Sequence, residues 1–409
     1  MDNLAAKTPH NDPRVPAATP WSLLLLLMAT TAIGPTTLNI LVPALPQLAH
    51  RIGADIATVQ LTVSVYLLAL AGGQLAMGPL SDRFGRRPVL LAGLALTALA
   101  SLLAIVLSTV ESLILARIAQ AVGASAGIVI GRAIIRDLFA RDRAAAMIGL
   151  VATVMVVAPT FGPLIGGLLD TAFGWQAIFI FTAATTAAVV VWAAITLPET
   201  RSLSAPAGGR GGLLVDVQQL ACSRAFWGYV LVAALGSGTF FAFLGGGPHV
   251  IVTLMGRSSA EYGVWFAISS IGYMAGNFAT SRLSIRYGLD RLIWWGIAIE
   301  AIGVVSATVL AVWAHDWGPA IVFIPQLIVS LGNGLLLPGA IAGAVSIRPQ
   351  AAGTAAGITG CTQMALGAAV TQYSGALLAG ASSAVPMALV MDVLVVALAL
   401  ASVVLIRRA

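Results

Sequence analysis

The chain has 409 residues, of which 59% are apolar and 9% charged, and its mean hydropathy is +0.97. Those values exclude a soluble globular protein, and about twelve spans of ~20 apolar residues with short connections would use the whole length, leaving no room for a soluble catalytic domain. The formal charge of +6 does not point to a nucleic-acid partner, because the basic residues flank apolar runs instead of covering one face, which is the pattern of a topology signal.

Residues 1–20 are polar and proline-bearing with no cleavable apolar core, so they read as a disordered cytoplasmic tail and not as a signal peptide. The apolar runs that follow predict membrane-spanning helices near 21–46, 56–78, 88–108, 111–136, 144–169, 174–197, 225–246, 261–283, 292–313, 318–341, 351–378 and 385–406. Between the second and third lies Gly78-Pro79-Leu80-Ser81-Asp82-Arg83-Phe84-Gly85-Arg86-Arg87-Pro88, read as a tight cytoplasmic turn. Gly78, Pro79, Gly85 and Pro88 are expected to shape it, and Asp82, Arg83, Arg86 and Arg87 to form a charge cluster where the helices leave the lipid.

Threading the chain from a cytoplasmic N-terminus places nearly every Lys and Arg on one side, with Arg51, Arg117 and Arg257 as the exceptions, so both termini are expected inside. The stretch from Pro198 to Arg224, with GGRGG at 208–212, is the one linker long enough to separate two halves, giving an N-terminal unit over 21–197 and a C-terminal unit over 225–409. The halves repeat one another. Gly73–Gly93 aligns without gaps to Gly276–Gly296, at an offset that carries Arg83 onto Arg286 and Gly85 onto Gly288; the second copy has Ile285 where the first has Asp82. An internal repeat at half length predicts two six-helix bundles with a site between them that opens alternately to each side.

Further motifs follow in order: Arg117-Ile-Ala-Gln120-Ala-Val-Gly123-Ala124 in the fourth span, Arg132-Ala-Ile-Ile-Arg136-Asp137 at its end, and Ala158-Pro159-Thr-Phe-Gly162-Pro163-Leu-Ile-Gly166-Gly167 in the fifth. Together with the 78–88 stretch they resemble the major facilitator superfamily, and within it the twelve-helix drug:proton antiporters of the bicyclomycin/chloramphenicol-resistance (Bcr/CflA) type. The resemblance implies an all-α membrane protein of two pseudo-symmetric six-helix bundles that exports small, largely apolar compounds in exchange for protons across a bacterial inner membrane. The expected partners are the small-molecule substrate, protons and membrane lipid; the expected state is a monomer, with no cofactor, no metal and no enzymatic activity. A transporter of one specific metabolite, not necessarily proton-coupled, is the alternative within transport. A sensor or scaffold is the alternative of another class.

Arg117 lies within a span, where a cation is costly unless it meets a polar cavity or a partner, so it is assigned to the substrate cavity, with a snorkelling arginine as the alternative. Pro159 and Pro163 are expected to interrupt the fifth helix, and Gly162, Gly166 and Gly167 to pack it closely against a neighbour. Gly123-Ala-Ser125-Ala-Gly127 has the form of a nucleophile elbow but falls mid-helix, away from every histidine, and carries no hydrolase reading. Tyr66 and Gln74, Phe240 and Phe241, and the amides of Asn277, Asn333 and Gln363 are expected around the cavity, where aromatic surface with a few polar anchors suits drug-like ligands.

Asn39 departs from the resemblance, which implies an acid at that place in the first span; an amide carries no proton but still binds a substrate through hydrogen bonds. The proton carrier is therefore sought among Glu300, Asp392 and Asp170. Gly78, Asp82, Arg83, Gly85, Arg86, Arg87, Arg136 and Asp137 are assigned to a cytoplasmic gating cluster, in which Arg86 is expected to pair with Asp137 and to clamp the two halves with Asp82.

Overall fold

The computed structural model describes residues 21–106, 109–139, 141–200, 217–313, 317–348 and 351–406. The expected tail, and residues 201–216 of the expected linker over 198–224, lie outside the described residues. Those residues form helices and contain no strand. In chain order they are α1 (Trp21–Asn39), α2 (Leu45–Ile52), α3 (Ile56–Phe84), α4 (Arg86–Val106), α5 (Val110–Leu138), α6 (Arg141–Phe173), α7 (Gln176–Thr196), α8 (Arg224–Pro248), α9 (Ser259–Tyr287), α10 (Leu289–Trp313), α11 (Ala320–Ser346), α12 (Ala352–Leu378) and α13 (Val385–Ala401). A 3-10 turn joins α1 to α2, and α8 and α13 each pass into a π-turn.

Nine of these helical stretches are long and apolar enough to cross a membrane, counted over the described residues alone. The long helices α9 and α12 fall outside that set because serine, threonine and glycine replace much of their aliphatic surface. Both lie where the two sets of helices meet, so these polar and small side chains serve helix contact instead of lipid.

Helix starts follow capping chemistry. Asp55 accepts a hydrogen bond from the Thr58 N–H at 2.8 Å at the head of α3, and Ser258 accepts from Glu261 N–H at 3.1 Å at the head of α9. The turn between α3 and α4 is shorter than the sequence suggests. Gly78 and Pro79 are inside α3, Pro88 is in the first turn of α4, and Gly85 alone breaks the helix, at φ +102°. A helix has no reason to end at the lipid boundary when polar side chains can solvate its next turns, so α3 runs on to Phe84 and the charge cluster sits on helix ends, not on a loop. The π-turn likewise carries the α8 span on to Leu254. Pro159 and Pro163 do not interrupt α6, which is one continuous helix of 33 residues.

Packing repeats between the two sets of helices. In the first set α3 and α4 pack on α5, α4 on α7, and α1 on α5 and α6; in the second, α9 and α10 pack on α11, α10 on α13, and α8 on α11 and α12. The two sets meet through α6 against α9 and α3 against α12. Hydrogen bonds that cross between them gather at one end, remote from Gly85. Ser259 Oγ lies 2.6 Å from Asp170 Oδ2 and 3.0 Å from the Pro43 carbonyl, Gln47 donates to Ser259 at 3.3 Å, and Gln372 donates to the Ala57 carbonyl at 2.8 Å. Glycine makes this approach possible: a Cβ on Gly167 would collide with the Ser259 carbonyl, and one on Gly263 would lie 2.8 Å from Leu164 Cα. Toward the Gly85 end, a Cβ on Gly353, Gly357 or Gly360 of α12 would meet no atom within 4 Å. The interface is thus closed at the far end and open at the near end.

Candidate functional site

A cavity of about 260 Å³ lies between the two sets of helices. Its wall combines apolar and aromatic surface with dispersed amides and hydroxyls. Pro35, Leu38 and Asn39 come from α1, Leu70 and Gln74 from α3, and Pro159 and Thr160 from α6. Ser237, Phe240 and Phe241 come from α8, Phe266, Ser270 and Tyr273 from α9, Ser330 and Asn333 from α11, and Gln363 and Met364 from α12. Among the described residues, none that lines it carries a formal charge. Such a wall holds an uncharged or weakly polar molecule by area and a few hydrogen bonds.

Of the residues assigned to the cavity from sequence, Asn39, Gln74, Phe240, Phe241, Asn333 and Gln363 are on its wall. Arg117, Tyr66 and Asn277 are not, and each for a physical reason. Arg117 is 1% exposed and bonded inside the first set of helices through Nε and Nη1, while its Nη2 has no partner among the described residues. It donates to the carbonyls of Thr37 at 2.9 Å and Thr62 at 3.3 Å and to Gln120 Oε1 at 3.0 Å, and its guanidinium carbon stands 4.2 Å from the centre of the Tyr66 ring. Tyr66 in turn donates to the Gly34 carbonyl at 2.9 Å. Eight residues leave Tyr66 and Gln74 about 80° apart around α3, enough to turn one into the bundle and the other to the cavity. Asn277 spends its amide on the Tyr273 carbonyl one turn earlier, at 2.9 Å, and Tyr273 is the residue that reaches the wall.

The fifth-helix motif works in two directions. Gly162 and Gly166 bring α6 against Asn39, the last residue of α1, and Ile40 just after it, while Gly167 and the Pro163 carbonyl meet Ser259 and Gly263 of α9. Asn39 itself donates to the Pro35 carbonyl at 2.8 Å, and its Oδ1 has no partner among the described residues, leaving an acceptor at the cavity edge.

At the near end, Arg86 is the centre of the charge cluster. It pairs with Asp82 at 2.5 Å and with Asp137 at 3.0 Å, and donates to Ser81 Oγ at 2.8 Å. Arg87 donates to the Ala194 carbonyl at 2.6 Å, and Arg83 stacks beside Phe84. Arg136 and the Gly78 backbone lie on the same helix ends, but no pairing links Arg136 to Asp82 or Asp137. The sequence reading missed Glu199, whose two oxygens accept from the N–H groups of Arg86 at 2.9 Å and Arg87 at 3.1 Å and so cap α4. An acid standing just past the end of the sixth span was the available signal.

The three acids weighed as proton carriers sit in three different settings. Asp170 is at the closed far end on Ser259. Asp392 accepts from Thr308 Oγ1 at 2.6 Å between α10 and α13. Glu300 is fully buried, with Oε1 accepting from Thr239 Oγ1 at 2.6 Å and from Asn333 Nδ2 at 3.2 Å. Among the described residues no group of His, Cys, Asp and Glu is placed to hold a metal ion, and Cys222 and Cys361 are free.

A continuous two-bundle core with an uncharged cavity at its seam is the arrangement of a transporter, and residues 27–372 match the family model of the Major Facilitator Superfamily. The chain belongs to that family. Among its relatives in this superfamily, Multidrug resistance protein D of Escherichia coli is 31% identical over 84% of this chain and 85% of its own length. The Chloramphenicol resistance protein of Pseudomonas aeruginosa is 32% identical over 80% of this chain and 76% of its own. Among solved structures, a bacterial homolog of the human lysosomal transporter Spinster, in an inward-facing and unoccupied conformation, superposes with a TM-score of 0.74 over 94% of this chain and 96% of its own, at 16% identity. This chain is accordingly a membrane transporter of small molecules, not an enzyme, with drug-resistance proteins among its relatives.

Proposed function

We propose that this chain exports small, largely apolar, uncharged compounds from the cytoplasm in exchange for protons, by alternating access between two bundles over 21–197 and 225–409 joined by a linker over 198–224. The observation that carries the reading is the uncharged cavity between bundles whose far end is sealed by meshed backbones while the near end stands open. The near end is the cytoplasmic one on this reading, since Arg83, Arg86, Arg87, Arg136, Arg282, Arg286 and Arg291 all stand there and, among the described residues, Arg51 and Arg257 are the arginines that flank the far end. The state described is then inward-open, both termini are cytoplasmic, and the working unit is a monomer in lipid. The names of the two resistance proteins support drug-like cargo.

Asp82, Arg86 and Asp137 belong to the first bundle alone in this state, with Asp82 62% exposed at the open mouth. They are placed to engage the second bundle when the near end closes. Expression in cells lacking their own pumps tests the proposal: the expected outcome is raised tolerance to several uncharged antibiotics, chloramphenicol among them. Export from proteoliposomes should accelerate under an imposed pH gradient. Unchanged tolerance across the panel would reject drug export, and transport of one metabolite alone would select the narrower reading.

A further inference from the structure

The cavity wall has no charged residue, yet an exchanger must let a proton and a substrate exclude each other, so the ionisable group has to act from behind the wall. The hydrogen bonds of the three span acids decide which one is connected to the cavity. Asp392 leads only to Thr308, and neither α10 nor α13 contributes to the wall. Asp170 leads to Ser259 at the sealed end, away from the cavity. Glu300 leads to Asn333, which is itself a wall residue, and to Thr239, which adjoins the wall residue Phe240.

We propose that Glu300 is the proton-binding site of this transporter and that Asn333, with Thr239, carries its protonation state to the cavity wall. The proposal rests on the exchange reading above and identifies the group that performs it. Two buried atoms of the cluster have no partner among the described residues, Glu300 Oε2 and Asn333 Oδ1. With Glu300 ionised, its oxygens only accept, and the Asn333 amide is held with Nδ2 donating to Oε1 and to Thr239. A proton taken from cavity water onto Oε2 turns that oxygen into a donor, for which Asn333 Oδ1 is the free acceptor within the cluster. The amide that a substrate meets at the wall is therefore committed differently in the two states. Proton and substrate compete through one side chain without touching each other.

Among the described residues no cation offsets the carboxyl. α11 has no charged residue, and α8 has only Arg224, at its first position. α9 carries Glu261, Arg282 and Arg286 near its ends, and α10 carries Asp290 and Arg291 in its first turn, more than two helical turns from Glu300. Asp392 on α13 is held by Thr308, also more than two turns along α10. Of the nearby tyrosines, Tyr273 is on the cavity wall and Tyr229 is bonded to Asp290. A buried carboxyl with no counter-ion is tolerated when it can take up a proton, and that is a requirement for a carrier.

The test uses the full-length protein in detergent and in proteoliposomes. Difference infrared spectra between about pH 5 and about pH 9 should show a protonated-carboxyl band that is lost in Glu300→Gln. Thr239→Val and Asn333→Ala, which remove its donors and leave the acid, should each displace that band or move its titration midpoint. In liposomes loaded with chloramphenicol, Glu300→Gln should still pass the compound downhill, but the ratio of rates with and without a pH gradient should fall to near one. A band unchanged in Glu300→Gln, or a gradient response equal to wild type in that variant, overturns the proposal. A wild type that has the band but ignores the gradient overturns the exchange reading instead.

Discussion

Laid over each other at one constant offset, the two bundles agree in backbone and disagree in charge. Gly85 and Gly288 both make single-residue breaks with positive φ, +102° and +79°. Asp55 and Ser258 cap equivalent helices. Thr97 of α4 and Glu300 of α10 match at that offset, and each stands against a glycine of the next helix, Gly123 and Gly332, although these two glycines do not themselves match at it. In the first bundle the buried site is a cation, Arg117, with Thr97 and Ser101 joined to its partner Gln120; in the second it is an acid, Glu300. At the near end Asp82 is ion-paired, while Ile285, its counterpart, is 94% exposed. The lesson is that the matched glycines and caps serve backbone geometry and packing, which both bundles need, whereas Arg117, Glu300 and Asp82 each occur in one bundle alone.

The most severe way to break that comparison is to remove the first bundle's cation. Arg117→Ala deletes hydrogen bonds to α1, α3 and Gln120 and the support of the Tyr66 ring, so it should cost on the order of 3 kcal/mol and abolish export. Thermal unfolding in detergent alongside transport checks both; a stable, inactive protein would assign Arg117 to the transport cycle and not to the core.

Next in size is the near-end cluster. Asp82→Asn should slow transport roughly tenfold, equivalent to ~1.4 kcal/mol in the balance of conformations, with membrane insertion unchanged. Ile285→Asp, at the matched position, should change stability by less than about 0.5 kcal/mol and should not rescue Asp82→Asn. Rescue would mean that the acid can act from either bundle.

Asn39→Asp adds an ionisable group to the cavity edge of the first bundle, where the wall is now uncharged. It should alter the pH profile of transport while leaving downhill passage in place, measured as rates across a pH series in proteoliposomes. An unchanged profile would show that the cavity edge is not in communication with coupling.

The smallest effect is expected at the paired caps. The two hydrogen bonds from Thr58 hold the Asp55 carboxyl below the ordinary carboxylate range. A group whose pKa is lowered by folding stabilises the fold above its unfolded pKa and loses that contribution as pH falls through the folded one. Wild type should therefore lose a small increment of stability in that acidic window, and Asp55→Ser, which copies the Ser258 cap, should not. Unfolding curves across that window decide it.

Much of this was legible in the sequence, for reasons that also explain the rest. Apolar runs report lipid contact, so the spans and their repeat could be read directly, and Gly85 stood out at the repeat's turn. The run of α3 to Phe84 could not, because a helix leaving the lipid changes composition without changing backbone. Asn39, Gln74, Asn333 and Gln363 are amides within apolar helices, and they stand at the wall. Arg117 and Tyr66 carry the same kind of signal but stack on each other inside one bundle, which only three-dimensional pairing reveals. Phe266, Ser270 and Tyr273 of α9 were missed because that helix is polar enough along its length that no single residue contrasts with its neighbours.

The glycines of the seam divide into those that touch and those that do not. Gly167 and Gly263 fill their role in the state described, whereas Gly353, Gly357 and Gly360 of α12 face open space. On the alternating-access reading, smallness that serves no contact here is kept for the other conformation, in which the near ends of α3 and α12 would close as the far ends have closed here. A methyl group at those positions is silent for folding and for the cavity as it stands, and it acts only as a wedge against the reverse swing. The chain thus records the fit of two shapes along a single seam, and its unused glycines are where the second shape can be read.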